Sequence, residues 1–146
     1  IIADKSRLHQ VFFNLIHNSI KYSPLNGVVR IEASVNIPLE DKNQIEPESS
    51  PLLEINIIDS GVGFAKEDLP HIFQRFYRGD KARSRSIKGE EDSTLDGSGL
   101  GLAIVHQILV AHGGTIKAMN HPQTGGAWLQ IHLPQVIAKT VVQDYI

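Results

Sequence analysis

Between residues 4 and 22, Leu8, Phe12, Leu15, Ile16 and Ile20 recur at the spacing of one helical face. The pattern predicts a helix, with Asp4 as its N-cap and Pro24 just past its end. Gln10, Asn14, His17, Asn18 and Lys21 fall opposite the stripe. From Val29 the period changes to two. Val29, Ile31, Ala33 and Val35 alternate with Arg30, Glu32 and Ser34, which predicts a strand with one buried face. Leu53, Ile55 and Ile57 repeat that pattern, and strand parity puts Asp59 on their side. A carboxylate aimed at an apolar layer needs a partner.

Residues 38–51 are polar and bounded by prolines, and read as a loop. Residues 69–77 predict a short helix or turn anchored by Phe73 and Phe76. A second helix opens at Gly99, with Leu100, Ile104, Val105, Ile108 and Leu109 on its apolar face. Gly113 ends it as a left-handed cap. Short strands follow over 116–119 and 128–133, the latter burying Leu129, Ile131 and Leu133. The expected fold is α/β: a two-layer sandwich with a mixed, largely antiparallel sheet covered on one face by helices. Residues 79–95 are crowded with charge and read as a loop of lid length. Residues 136–146 form a tail after a single domain over 1–135, and there are no internal repeats.

Composition narrows the chemistry. The 146 residues suffice for one domain with a core, and 41% are hydrophobic. A net charge of -2 gives no nucleic-acid footprint. The chain has no cysteine, which excludes disulfides and thiolate metal sites and fits a cytoplasmic setting. No apolar run approaches the roughly 18 residues of a spanning helix. No signal peptide opens the chain. A membrane anchor elsewhere in a longer parent chain is compatible with this.

Three clusters carry candidate chemistry. Asp59-Ser60-Gly61-Val62-Gly63 follows a strand. A buried carboxylate there can accept from an exocyclic amine such as adenine N6, and would face an acceptor in guanine. Gly61 and Gly63 permit close backbone approach; an ordinary strand-to-turn exit would use the same residues. Gly97, Gly99 and Gly101 lead into a helix N-terminus, where free N–H groups suit phosphate, although a glycine hinge has the same composition. No P-loop or Rossmann fingerprint is present. Asn14, Asn18 and Lys21 lie at i, i+4 and i+7 on one face. Amide oxygens suit Mg²⁺ arriving with phosphates, and Lys21 would neutralise charge; a solvated helix face is the bland alternative. Arg75 and Arg78 flank aromatic residues and could reach a γ-phosphate, with plain surface arginines as the alternative. The seven histidines show no metal-like spacing; His17 shares the asparagine face and could touch a metal's water shell, but reads better as a polar surface histidine.

In this order the clusters resemble the catalytic ATP-binding domain of two-component sensor histidine kinases, in the superfamily shared with gyrase, Hsp90 and MutL. Residues 10–23 (QVFFNLIHNSIKYS) look like the N box and residues 59–63 (DSGVG) like the G1 box. FQRFYR at 73–78 and GSGLGL at 97–102 look like the F and G2 boxes. HGGTI at 112–116 is similar to the segment that follows.

The resemblance implies a Bergerat ATP-binding fold, ATP and Mg²⁺. Asn18 would be the metal ligand with Asn14 beside it. Lys21 and Arg78 would contact phosphates, completing a catalytic set with the two asparagines. Tyr22 would line the base, and Asp59, Gly61 and Gly63 would bind adenine. Gly97, Gly99, Leu100, Gly101 and Leu102 would line the phosphate end, with residues 79–96 as the ATP lid. The family's ATPases carry a glutamate base four residues before the metal asparagine. Here that position is Asn14, and an amide cannot deprotonate water. The implied activity is therefore transfer, with the acceptor histidine on a separate helical dimerisation domain. A response regulator would lie downstream. The parent would be a homodimer and the isolated domain a monomer. A nucleotide-dependent binding module and a water-hydrolysing ATPase are the alternatives. In one departure, Ala127 stands where the family often has Ser or Thr, so a water-mediated adenine contact through that hydroxyl is absent.

Overall fold

The computed structural model describes residues 3–36, 51–79 and 99–134. Residues 38–50 of the expected loop, residues 80–96 of the expected lid, Gly97 and the 136–146 tail lie outside these. The first helix, α1, runs Lys5–Tyr22. Asp4 caps it as expected: Oδ1 accepts from the amides of Ser6 at 2.9 Å and Arg7 at 3.1 Å. The buried seam differs from the expected stripe. Val11, Leu15 and Ser19 are its buried residues, with Leu8 and Phe12 packed beside them. Ile20 is 64% exposed and Phe13 58%. Residues four apart form one row on a helix, and the row centred on Leu15 is the one in contact with the core. Ile16 and Ile20 lie on the flank beyond it.

Among the described residues four strands follow the expected positions: β1 (Val29–Asn36), β2 (Leu52–Asp59), β3 (Thr115–Asn120) and β4 (Ala127–Pro134). Their order is β1-β2-β4-β3, and every pairing among the described residues is antiparallel. Register aligns the apolar positions. Ile57 lies between Ile31 and Leu129, and Ile131 between Ile55 and Ile116. Directly opposed residues share a face, so these build one layer. Among the described residues two helices cover it: α1, and α2 over Gly101–Ala111, which buries Val105, Ile108 and Leu109 against the sheet. β1 is an edge strand. Its alternation is clean, yet Ile31 is 51% exposed, because the helices sit chiefly over β2 and β3.

Helix α2 starts two residues later than expected, with Leu100 at its N-cap. Gly113 closes it at φ +69°, with the Gly114 amide on the Leu109 carbonyl at 2.8 Å and the Gly113 amide on that of Val110 at 2.9 Å. This pair of bonds is a Schellman motif. His112 then ties the helices together. One ring nitrogen, Nδ1, lies 2.7 Å from the Ile108 carbonyl, and Nε2 accepts from the Asp4 amide at 3.1 Å.

The 69–77 segment forms successive turns, carried by bonds such as His71 N–H to the Asp68 carbonyl at 2.8 Å and Gln74 N–H to that of His71 at 2.8 Å. Ile72 is its buried anchor and Phe73 packs beside the core, but Phe76 is 71% exposed at φ +65°. The sheet's outer face is knitted by polar groups. Trp128 Nε1 donates to Asn56 Oδ1 at 2.8 Å, Asn56 Nδ2 to Glu54 Oε1 at 2.8 Å, and His132 Nε2 lies 3.1 Å from Glu54 Oε2. The Asn56 amide, then His132, holds the Glu54 carboxyl below the usual glutamate range against an opposing push from burial. No helix among the described residues is long and apolar enough to cross a membrane.

Candidate functional site

Asp59 ends β2 on the helix-covered face and is only 5% exposed. Its partners are backbone. Oδ1 accepts from the Gly61 amide at 2.9 Å and from the Ala127 amide at 2.9 Å. Oδ2 takes no hydrogen bond from the described residues. A carboxylate clasped on one oxygen and open on the other is a fixed acceptor for a polar ligand group.

The glycines around it are demanded by close packing. A Cβ on Gly61 would lie 2.6 Å from the Tyr22 carbonyl, so the turn abuts the end of α1. Gly63 has φ +66°, and a Cβ there would run into Asn120 Oδ1 at 2.6 Å. Ser60 Oγ accepts from the Val28 amide at 2.8 Å.

From this turn the site continues along α1. Asn14 and Asn18 are half-buried, one turn apart, rather than spread on a solvated face. Asn14 Nδ2 donates to the Gly101 carbonyl at 3.5 Å, which joins α1 to the first turn of α2. Lys21 is exposed in the last turn of α1, its ammonium 5.7 Å from the Tyr22 ring centre. At the mouth of α2, Gly99 has φ +67°, and its carbonyl accepts from the Phe76 amide at 3.0 Å. A Cβ on Gly99 would meet the Tyr77 carbonyl at 2.8 Å. The aromatic turn, with half-buried Arg78 after Tyr77, is thus stacked on the glycine entry. Leu100 and Gly101 are half-buried there, and Leu102 packs against the core.

One connected arrangement therefore runs from Asp59 through Gly61 and Tyr22, along Asn18 and Asn14, to Gly101, Gly99 and the turn bearing Arg78. Gly97 lies outside the described residues. Arg75 and His17 lie apart from this arrangement. Arg75 is drawn to the outside of α2, with Nη2 3.4 Å from Gln107 Oε1. His17 is exposed and stacks on Phe13, ring centres 5.9 Å apart, as a surface histidine. Groups of three or more metal-ligating His, Cys, Asp or Glu are absent among the described residues. A cation would have to arrive with its own anionic ligands.

Two contributors escaped sequence reasoning, the Ala127 amide and Asn120. Ala127 has no polar side-chain group, and its N–H is what grips Asp59. An open hollow of about 440 Å³ is lined by Arg30, Ile58 and His121 of the opposite face of the sheet, together with Asp59 and Ser60 at the strand's end.

Residues 3–137 match the family model of histidine kinase-, DNA gyrase B- and HSP90-like ATPases. The sensor protein SphS of Synechococcus elongatus is 42% identical over 133 residues, covering 91% of this chain and 29% of that protein. The sensor histidine kinase WalK of Bacillus subtilis is 41% identical over 115 residues, 79% of this chain and 16% of that one. Among solved structures, the mycobacterial sensor histidine kinase MprB aligns with a TM-score of 0.66 at 31% identity, covering 92% of this chain and 76% of that chain. Full-length ShkA in complex with AMPPNP aligns with a TM-score of 0.61 at 27% identity, covering 90% of this chain and 22% of ShkA. The chain spans less than a third of the length of SphS and of WalK.

Proposed function

This chain belongs to the family of histidine kinase-, DNA gyrase B- and HSP90-like ATPases, among the sensor histidine kinases, and from that premise we propose that it binds MgATP and presents the γ-phosphate to a histidine on another domain. The observation that carries the reading is the carboxylate of Asp59, held by two backbone amides on Oδ1 with Oδ2 left to accept from adenine N6. Such a charge-assisted bond contributes roughly 1.5–3 kcal/mol. A base with a carbonyl in that place meets acceptor against acceptor.

The remaining residues divide the work along the connected arrangement. Tyr22, Gly61 and Gly63 let the base approach the backbone. Asn18 offers an amide oxygen to Mg²⁺, with Asn14 beside it, and the metal when bound neutralises phosphate charge. Lys21 and Arg78 counter the charge that remains. Gly99, Leu100, Gly101 and Leu102 bring the N-terminus of α2 to the phosphates. Gly97, next to this run, is assigned with it from the sequence. Asn14 cannot act as a base towards water, which favours transfer over hydrolysis.

The partner in this reading is a helical dimerisation and phosphoacceptor domain of a homodimeric parent, with a response regulator downstream. The isolated domain is monomeric and works in the cytoplasm. The test supplies ATP labelled at the γ-phosphate, with and without that acceptor domain in trans. Label on the acceptor histidine with negligible release of phosphate by the domain alone is the expected result. Steady hydrolysis without acceptor would make the domain an ATPase. Tight binding with no transfer would make it a nucleotide-dependent binding module.

A further inference from the structure

Asn120, the last residue of β3, lies outside every motif considered so far. Its side chain spans 56 residues of sequence to a single peptide position. Oδ1 accepts from the Phe64 amide at 2.7 Å, and Nδ2 donates to the Phe64 carbonyl at 2.8 Å. The amide thereby treats Phe64 as a neighbouring strand would, satisfying its donor and its acceptor together. The partners also decide the amide's orientation, since only oxygen can face an N–H.

The placement gives this clip its meaning. In register, Asn120 opposes Ala127, whose amide holds Asp59. The two strands of the β3–β4 hairpin, at its closed end, therefore grip the two ends of one turn, Ala127 at Asp59 and Asn120 at Phe64. Gly63 is pressed between them, where a Cβ would strike Asn120 and the Gly125 carbonyl. Asn120 itself is exposed, so its two bonds bury no apolar surface of note. Their consequence is geometric.

We propose that Asn120 is a positioning residue for base recognition: through the Phe64 peptide it holds the Gly61–Gly63 turn against the fixed Asp59 carboxylate, and so sets selectivity for a 6-amino purine over a 6-oxo purine. The proposal rests on the reading of Asp59 as the adenine acceptor. Serine at 120 could make one of the two bonds and alanine neither.

The experiment measures affinity for ATP and for inosine triphosphate, both with Mg²⁺, in the wild type, N120A and N120S, and follows hydrogen exchange at the Phe64 amide. In N120A the ATP affinity falls about tenfold, the scale of one net hydrogen bond. Inosine triphosphate affinity moves little, so the ratio of the two contracts. N120S falls between, and the Phe64 amide exchanges faster in both variants. An unchanged ratio in folded N120A overturns the proposal, as does an equal loss for both nucleotides. If N120A does not fold, N120S decides, and a wild-type ratio there overturns it. A wild-type protein that does not distinguish the two nucleotides refutes the Asp59 reading, and the proposal with it. That failure is recognisable because it appears before any substitution is made.

Discussion

The Ala127 amide donates to Asp59 Oδ1 at 2.9 Å, across 68 residues of sequence. With the Gly61 amide on the same oxygen, it leaves one carboxylate face for a ligand. Asp59→Asn should preserve both backbone bonds through its amide oxygen and turn the other position into a donor. Binding of ATP is expected to weaken by about 1.5–3 kcal/mol, roughly ten- to a hundredfold, with the unliganded fold intact. Calorimetry on the folded variant checks this, and inosine triphosphate should lose far less.

Gly126 lies where a Cβ would overlap the Asp59 carbonyl oxygen. Backbone cannot yield there without moving β2 or β4. Gly126→Ala is expected to cost at least about 2 kcal/mol of stability, measured by urea unfolding. A substitution at Gly101, where a Cβ meets nothing within 4 Å, should be mild by comparison.

Asn18 is assigned to the metal, so its removal should change how binding responds to Mg²⁺. In the wild type, chelation of Mg²⁺ is expected to weaken ATP binding. In Asn18→Ala the affinity should already be low and respond little to chelation. Titrations with and without EDTA compare the two.

Glu54 titrates below the ordinary glutamate range in the folded protein, chiefly through Asn56 and then His132. A lowered folded-state pKa stabilises the fold above the unfolded value, and that contribution is lost as pH falls through the folded one. Glu54→Gln should therefore be less stable than wild type near neutrality. The gap should close as the solution is acidified past the ordinary glutamate pKa. Urea unfolding of both proteins across the acid range measures it.

What was legible in the sequence was local or periodic. Asp4 and Gly113 announce helix ends because their partners lie within a few residues. The burial of Asp59 follows from strand parity alone. The seam of α1 was harder: Ile20 and Ser19 both fit helical spacing, and only the position of the neighbouring elements buries Ser19 and exposes Ile20. Phe76 looked like an anchor by chemistry, but a left-handed backbone turns it outwards. The Ala127 amide has no side-chain signature. Asn120 finds its partner 56 residues away, a distance no local pattern encodes.

The central claim is that ATP lies with its base at Asp59 and its phosphates at the glycine entry to α2. A titration of isotope-labelled protein with MgATP, followed amide by amide in NMR spectra, tests it most directly. The expected result is perturbation at Gly61, Gly63 and Ala127 at one end, along Asn14 and Asn18, and at Gly99 and Gly101 at the other. Changes confined to the opposite face of the sheet, around Arg30, Ile58 and His121, or no changes at all, would contradict it.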